Sequence, residues 1–444
     1  MDWLTVLGIV AFAIGLLLSI ALHEIGHLVP AKLFGVKVSQ YMVGFGNTVW
    51  SRRRGDTEYG IKAIPLGGYV RMVGMFPPEP GADPRRLRRT STGPFQALIE
   101  DARRASKEEI KPGDEDRVFY RKAWWKKLIV MLGGPAMNVV IAAVLAGAVL
   151  MVYGNPAEPE LRPVVSEVSA CVIPVADGDR QCTAADPPTP AAEAGFQPGD
   201  RLVSFGSRPV TSWSVAQDLI REHDAGPVEV VVERDGRQLT LTPELITTQR
   251  RALGAADEDG YRAPTDELVT VGFLGIAPTQ AFEPEDVGGA VAWLGDFTAQ
   301  TATAVVSIPQ KMVGVWEAAF GGEERDLTGP IGIVGAGRIG GEIATAEVDV
   351  PARIATFVLL LASFNMAIAL FNLIPLLPLD GGHAAGAIWE GLKRGYARLT
   401  GGPQPKPVDV AKALPVAYGV AAVLIGMSAL LLYADIVNPV RLSG

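Results

Sequence analysis

The chain has 444 residues, 48% of them hydrophobic and only 20% charged, with a formal net charge of −8. A soluble chain carries about 25% charged residues, and here the apolar surplus collects in four long uncharged runs, which excludes a soluble or a disordered protein. The acidic balance argues against a nucleic-acid partner.

The first run, Trp3–Leu22, is long enough to cross a bilayer, which takes roughly 20 apolar residues. It has no basic stretch before it, only Asp2, and it exceeds the apolar core of a secretory signal, so it reads as a retained span. The pattern His23-Glu24-Ile25-Gly26-His27 closes it. Positions i and i+4 share one face of a helix, so both imidazoles can bind one Zn²⁺, and Glu24 stands beside them to take a proton from metal-bound water. Charge at membrane depth costs roughly 2.5–3.5 kcal/mol per residue and marks function. The alternative is a set of polar residues that merely ends the span.

Residues 35–75 mix β-branched, aromatic and glycine residues in two stretches that read as β-hairpin material. Residues 76–127 form a basic loop, rich in Pro and Arg over 77–122, with one short helix expected around 94–109. The run Leu128–Tyr153 is the second span. A segment over 160–275 then reads as a compact α+β module of strand, short helix, strand, helix and hairpin, the hairpin turning at Arg234-Asp235-Gly236. Its insertion holds the two cysteines of the chain, Cys171 and Cys182, which could close a disulfide or stand as free thiols. Residues 276–353 read as a mostly helical bridge. A third span follows over 354–383, then a loop over 384–412 and a fourth span over 413–436.

A catalytic zinc keeps three protein ligands and one open position. The string Asn372-Leu-Ile-Pro-Leu-Leu-Pro-Leu-Asp380-Gly-Gly-His383 at the end of the third span offers the third. Asp380 is the first choice, because its carboxylate neutralises part of the metal charge, and His383 is the rival. The prolines and glycines there break the helix and expose backbone that an extended substrate could use.

Charge by segment sets an orientation. Residues 28–127 hold 20 Lys and Arg against 11 Asp and Glu, residues 384–412 hold 5 against 2, and residues 154–353 hold 14 against 31. Basic residues flank spans on the cytoplasmic side. The two basic segments are therefore expected inside and the acidic one outside, together with both termini and the cysteines, where disulfides persist.

HEIGH closing a first span and NLIPLLPLDGGH in a third resemble the site-2 protease family of intramembrane zinc metalloproteases, in particular the bacterial regulator-of-sigma-factor type. The strings Gly44–Gly46 and Pro65–Met72 look like that family's membrane-associated β-loop. Gly133–Asn138 looks like its second-span GPxxN element, and "AEAGFQPGDRLVSFGSRPV" like the core of its PDZ module. The resemblance implies a polytopic α-helical membrane protein of four transmembrane helices with a membrane-associated β-hairpin loop and an inserted extracytoplasmic PDZ domain. It implies one catalytic zinc on His23, His27 and Asp380, Glu24 as general base, and Asn138 and Asn372 as polar groups near the site, whose alternative is helix–helix hydrogen bonding. Gly67 and Gly68 would let a substrate backbone approach, or would serve only a turn. The implied location is the bacterial inner membrane. The implied substrates are single-pass membrane proteins, namely anti-sigma factors after a first outer cut, or remnant signal peptides, with a peptide or substrate ectodomain at the PDZ module. Two departures stand out. Leu377 occupies the place of the pattern's second proline, with Pro378 next, and there is room for a single PDZ module. A metal-independent PDZ scaffold and a metal transporter are the readings from other classes.

Overall fold

The computed structural model describes residues 2–77, 100, 103–104, 106, 108–156, 160–175, 180–183, 185–254, 262, 264–322, 325–326, 329–346 and 348–440. The chain divides into two compact units, Met1–Val152 with Glu285–Gly444, and Tyr153–Pro284.

Among the described residues, four helices of the first unit are long and apolar enough to cross a membrane: α1 (Trp3–Leu33), α2 (Trp124–Val152), α8 (Val350–Asn372) and α10, which with its leading 3-10 turn covers Val410–Val437. This is a polytopic membrane protein. The HEIGH residues lie inside α1, which continues to Leu33 and closes over Gly35 in the left-handed region (φ 68). Lys32 in the last turn complements the exposed carbonyls there.

After α1 come β1 (Val38–Arg54) and β2 (Thr57–Met72), which pair antiparallel at Val38–Val43 with Gly68–Met72 and at Trp50–Arg54 with Thr57–Ile61, while Gln40–Val43 also runs alongside Glu58–Ile61. Tyr41 faces both Tyr59 and Val70, and Val43 faces both Ile61 and Gly68, so the first part of β1 runs between the two halves of β2. Gly44 (φ 93) and Gly46 (φ 82) supply the bend. The second half of β2 is consequently an edge strand. The sheet's inner face (Val38, Tyr41, Tyr59, Val70, Met72) packs on Leu28 and Ala31 of α1 and on Val130 and Met131 of α2.

Of the expected helix over 94–109, Glu100, Arg103, Arg104, Ser106 and Glu108 are helical and Glu109 is in a turn; the remainder lies outside the described residues, as do residues 78–99 of the Pro- and Arg-rich loop.

The unit Tyr153–Pro284 holds β3 (Glu160–Val168), α3 (Pro190–Ala194), β4 (Arg201–Phe205), β5 (Arg208–Pro209), α4 (Trp213–Glu222), β6 (Gly226–Pro227), β7 (Val230–Arg234), β8 (Arg237–Leu241), β9 (Glu244–Leu253), β10 (Pro264–Phe273) and β11 (Ile276–Ala281). One sheet runs β11-β3-β4-β7-β8 with β5 on β4, and another β10-β9-β6. Ser212 caps α4 by accepting from the Val215 N–H, and Trp213, Ala216, Leu219 and Ile220 then fall on one buried face. They meet Phe196, Leu202, Phe205, Val230 and Leu245 in the core. Asp235 (φ 53) and Gly236 (φ 73) turn β7 into β8, both in the left-handed region that a two-residue hairpin turn demands. Cys171 and Cys182 are joined by a disulfide.

Three boundaries differ from the expectations. Residues 276–281 are a strand on β3 rather than the start of the helical bridge, because the alternating stretch has an open sheet edge to join. The bridge itself is α5 (Val287–Val306), α6 (Ile308–Phe320) and α7 (Ile333–Thr345). The third span stops at Asn372, and Asp380 opens a new helix, α9 (Asp380–Thr400), where a loop was expected from 384. Gly381, Ala384, Ala387, Glu390 and Ala397 form the buried face of α9, and the small residues among them seat it against its neighbours.

Candidate metal centre

The site is assembled by α1, α2, the second half of β2, the end of α8 and the start of α9. One turn of α1 separates His23 from His27, and their rings meet edge to face with centroids 4.9 Å apart. The two Nε2 atoms are 3.3 Å apart, and the Asp380 Oδ2 lies 3.3 Å from each. All three donor atoms fall within 4.8 Å of one another, and among the described residues no other group of three or more His, Cys, Asp or Glu side chains converges in this way. His383 lines the same cavity without joining the cluster, and His223 belongs to the other unit.

The His27 Nδ1 sits 2.7 Å from the Val130 carbonyl oxygen. A carbonyl can only accept, so Nδ1 carries the proton and Nε2 keeps its lone pair for a metal. The second helix also shapes the cradle. A methyl group at Gly134 would stand 2.2 Å from His27 Nε2 and 2.7 Å from His23 Nε2. Gly26 and Gly133 bring the helix backbones together, since a Cβ at Gly26 would lie 2.2 Å from the Gly133 oxygen. Asp380 is placed by the turn 373–379, which is held by Leu376 N–H to Ile374 O (2.7 Å) and Leu379 N–H to Leu376 O (2.9 Å). Gly381 and Gly382 let α9 begin directly on that turn, because a Cβ on either would fall within 2.5 Å of its backbone.

A cavity of about 410 Å³ opens on the cluster. Glu24, 9% exposed, lies on its wall beside the histidines, as do Gly67, Gly68, Asn138, Asn372 and His383. Gly68 passes close over the acid: its Cβ would stand 2.9 Å from Glu24 Cγ. The Asn138 side chain is 1% exposed, and its Oδ1 has no partner. Every site residue expected from the sequence thus lines one cavity, the disulfide pair apart. Gly26, the Val130 carbonyl and the packing role of Gly134 come from the structure and not from the motifs. Glycine inside a helix costs about 1 kcal/mol relative to Ala, and that cost in HEIGH and GGPAMN was the available signal of a close approach.

Two imidazole nitrogens and one carboxylate oxygen are the three-ligand set of a catalytic zinc, which leaves one position open. The protonated Nδ1 of His27 and the glycine cradle around both rings fit that ion.

The sequence model of peptidase family M50 matches residues 11–400. The chain belongs to peptidase family M50. The zinc metalloprotease Rip1 of Mycobacterium tuberculosis (strain ATCC 25618 / H37Rv) is 37% identical over 440 residues, covering 98% of this chain and 99% of that protein. Its namesake in Mycolicibacterium smegmatis is 35% identical over 443 residues, 98% of each. The metalloprotease MmpA of Caulobacter vibrioides is 27% identical over 402 residues, 84% of each. This M50 protein is a metalloendopeptidase with a zinc cofactor. The scaffold and transporter readings are set aside by that membership.

Proposed function

We propose that this M50 peptidase hydrolyses peptide bonds within or near the transmembrane segments of single-pass membrane proteins, with anti-sigma factors already cut on their outer side as the favoured class and remnant signal peptides as the second. The observation that carries the proposal is the convergence of His23, His27 and Asp380 beside Glu24, on a cavity between helices apolar enough to span a membrane.

In this reading His23, His27 and Asp380 hold one zinc ion, whose Lewis acidity activates water and polarises the scissile carbonyl. Glu24 accepts the proton of the attacking water and returns it to the departing amine nitrogen. A transmembrane helix keeps its carbonyls in i to i−4 hydrogen bonds, so the substrate unwinds locally before it reacts. The second half of β2, paired on one side only among the described residues, offers an edge to hold the unwound stretch extended, with Gly67 and Gly68 leaving room for a second main chain. Asn138 and Asn372 contribute hydrogen bonds to it, a role supported by the unpartnered Oδ1 of Asn138.

Residues 160–275 act as a PDZ module on the outer side, binding or excluding the substrate's outer portion. The basic balance of 28–127 and 384–412 supports a cytoplasmic position for those segments. The active site then lies near the cytoplasmic face of the bacterial inner membrane, with both termini outside. A disulfide between Cys171 and Cys182 suits an oxidising exterior.

The test is cleavage of a single-pass anti-sigma substrate in cells, with zinc content measured on each purified variant. Glu24→Gln is expected to abolish cleavage with zinc retained, and Asp380→Ala to lose both. Cleavage by Glu24→Gln at the wild-type rate overturns the assignment.

A further inference from the structure

The third metal ligand is carried by a helix whose position is set far from the metal. Helix α9 runs antiparallel to α2. At one end Asp380 meets the imidazoles that rest on Gly134, and at the other Gly391 lies on Trp124, where a Cβ would stand 2.7 Å from the indole. Between these contacts sits a buried polar cluster. Lys127 Nζ donates to Glu390 Oε2 at 2.8 Å, and the two side chains are 7% and 2% exposed. The Val408 N–H also donates to Glu390 Oε2 (3.2 Å), and the Arg394 guanidinium stands 2.8 Å from Oε1. Next to Val408, Asp409 pairs with Arg103.

Lys127, Val130 and Gly134 form one stripe of α2, at i, i+3 and i+7. That stripe fixes the His27 ring through the Val130 carbonyl and grips α9 through Lys127. Asp380 and Glu390 are separated by ten residues, about 15 Å of helix. A displacement of α9 along α2 is therefore delivered to Asp380 through a rigid rod. A buried ion pair adds little net stability compared with apolar residues of the same size, and its best-attested use is to specify register.

We infer that Lys127 and Glu390 are positioning residues for the metal centre, setting the register of α9 on α2 so that the Asp380 carboxylate meets both histidines. The inference rests on Asp380 being a metal ligand.

The experiment titrates Co²⁺ into full-length, metal-stripped protein in detergent micelles and follows the visible d–d bands, which report coordination geometry. Glu390→Gln and Lys127→Met each remove the charge pair, and affinity is expected to fall by about 10-fold, the scale seen for groups that orient ligands, with altered bands. Lys127→Arg keeps the pair and is expected to restore both. Asp435→Asn breaks the distant buried pair with Arg325 and is expected to leave the bands unchanged. Unchanged affinity and bands in Glu390→Gln overturn the inference, as does an equal loss in Asp435→Asn. Should Glu390→Gln fail to fold, Glu390→Asp, which keeps the charge but shortens the grip, decides in the same titration. Asp380→Asn separates the two readings: if it binds Co²⁺ as wild type does, the ligand assignment itself is wrong. If it loses Co²⁺ while Glu390→Gln does not, only the register inference fails.

Discussion

At the scale of single residues, the metal site depends on a hydrogen atom as much as on its ligands. Alanine stabilises a helix by up to about 1 kcal/mol over glycine, and Gly147 of α2, with nothing within 4 Å of its Cβ direction, should behave so. Gly134 should do the reverse. Its added methyl would stand 2.2 Å from His27 Nε2, so a ring or the helix must move. Gly134→Ala is expected to lower zinc affinity by about 10-fold or more, and Gly147→Ala to leave it unchanged, as read by competition with a chromophoric chelator. A second residue-scale prediction concerns Asp200, fully buried in the unit Tyr153–Pro284. Burial pushes its carboxyl up, but Arg234, through Nε (2.6 Å) and an Nη (2.7 Å), and the Gln197 N–H (2.9 Å) outweigh it and hold the carboxyl below the usual range. A carboxyl lowered in the folded state contributes stability above its unfolded pKa of about 3.9 and loses it as the pH falls through the folded value. Amide protection at Arg201–Phe205 and Val230–Arg234 should therefore hold from pH 7 to 5 and decline below about 3.9. In Asp200→Asn it should be lower at pH 7 and flat across that window.

At the scale of elements, the bent hairpin and α9 carry the most consequence. Folding β1 between the halves of β2 leaves 68–72 with one side unpaired by any strand among the described residues, beside Glu24, where a Cβ on Gly68 would stand 2.9 Å from Glu24 Cγ. Gly68→Ala should reduce kcat/KM by about 10-fold through the lost fit of an extended substrate at the strand edge, with zinc content unchanged. Zinc loss in that variant would show instead that the strand supports the ligands. Local sequence made the strands legible through β-branched and aromatic residues between glycines. It did not reveal that β1 pairs twice, because pairing partners are chosen by packing on Leu28, Val130 and Met131 rather than by the strand itself. Helix α9 is hidden in the sequence for a related reason. Its buried face is mostly Gly and Ala, which has little apolar contrast until a neighbouring helix lies on it. Strands β9 and β10 each carry only one short β-branched run, Ile246-Thr247-Thr248 and Val269-Thr270-Val271, without the alternation that marks a half-buried strand in a sequence.

At the scale of the whole molecule, the metal centre and the inserted unit have separate cores. The unit Tyr153–Pro284 packs Trp213, Phe205 and Val230 around its own sheet, whereas the His23, His27 and Asp380 cluster comes from α1 and α9. Chelation of zinc should therefore raise hydrogen exchange around 20–30 and 380–390 and abolish cleavage, leaving exchange in 160–250 unchanged. A matching rise in the inserted unit would show that its stability is coupled to the metal.

Four spans, the paired histidines and the adjacent glutamate follow from the sequence by itself, since hydropathy over about 20 residues and an i, i+4 spacing on a helix are local properties that the chain carries wherever it folds. Asp380 could be nominated as the only acidic residue between Arg353 and Glu390, at the end of a span. The convergence of Asp380, rather than His383, with both imidazoles, the contact of His27 Nδ1 with the Val130 carbonyl, the glycine cradle and the Lys127–Glu390 pair appear only in the tertiary structure. Each is a relation between helices far apart in the chain, fixed by how closely their backbones approach, and no local pattern encodes that distance.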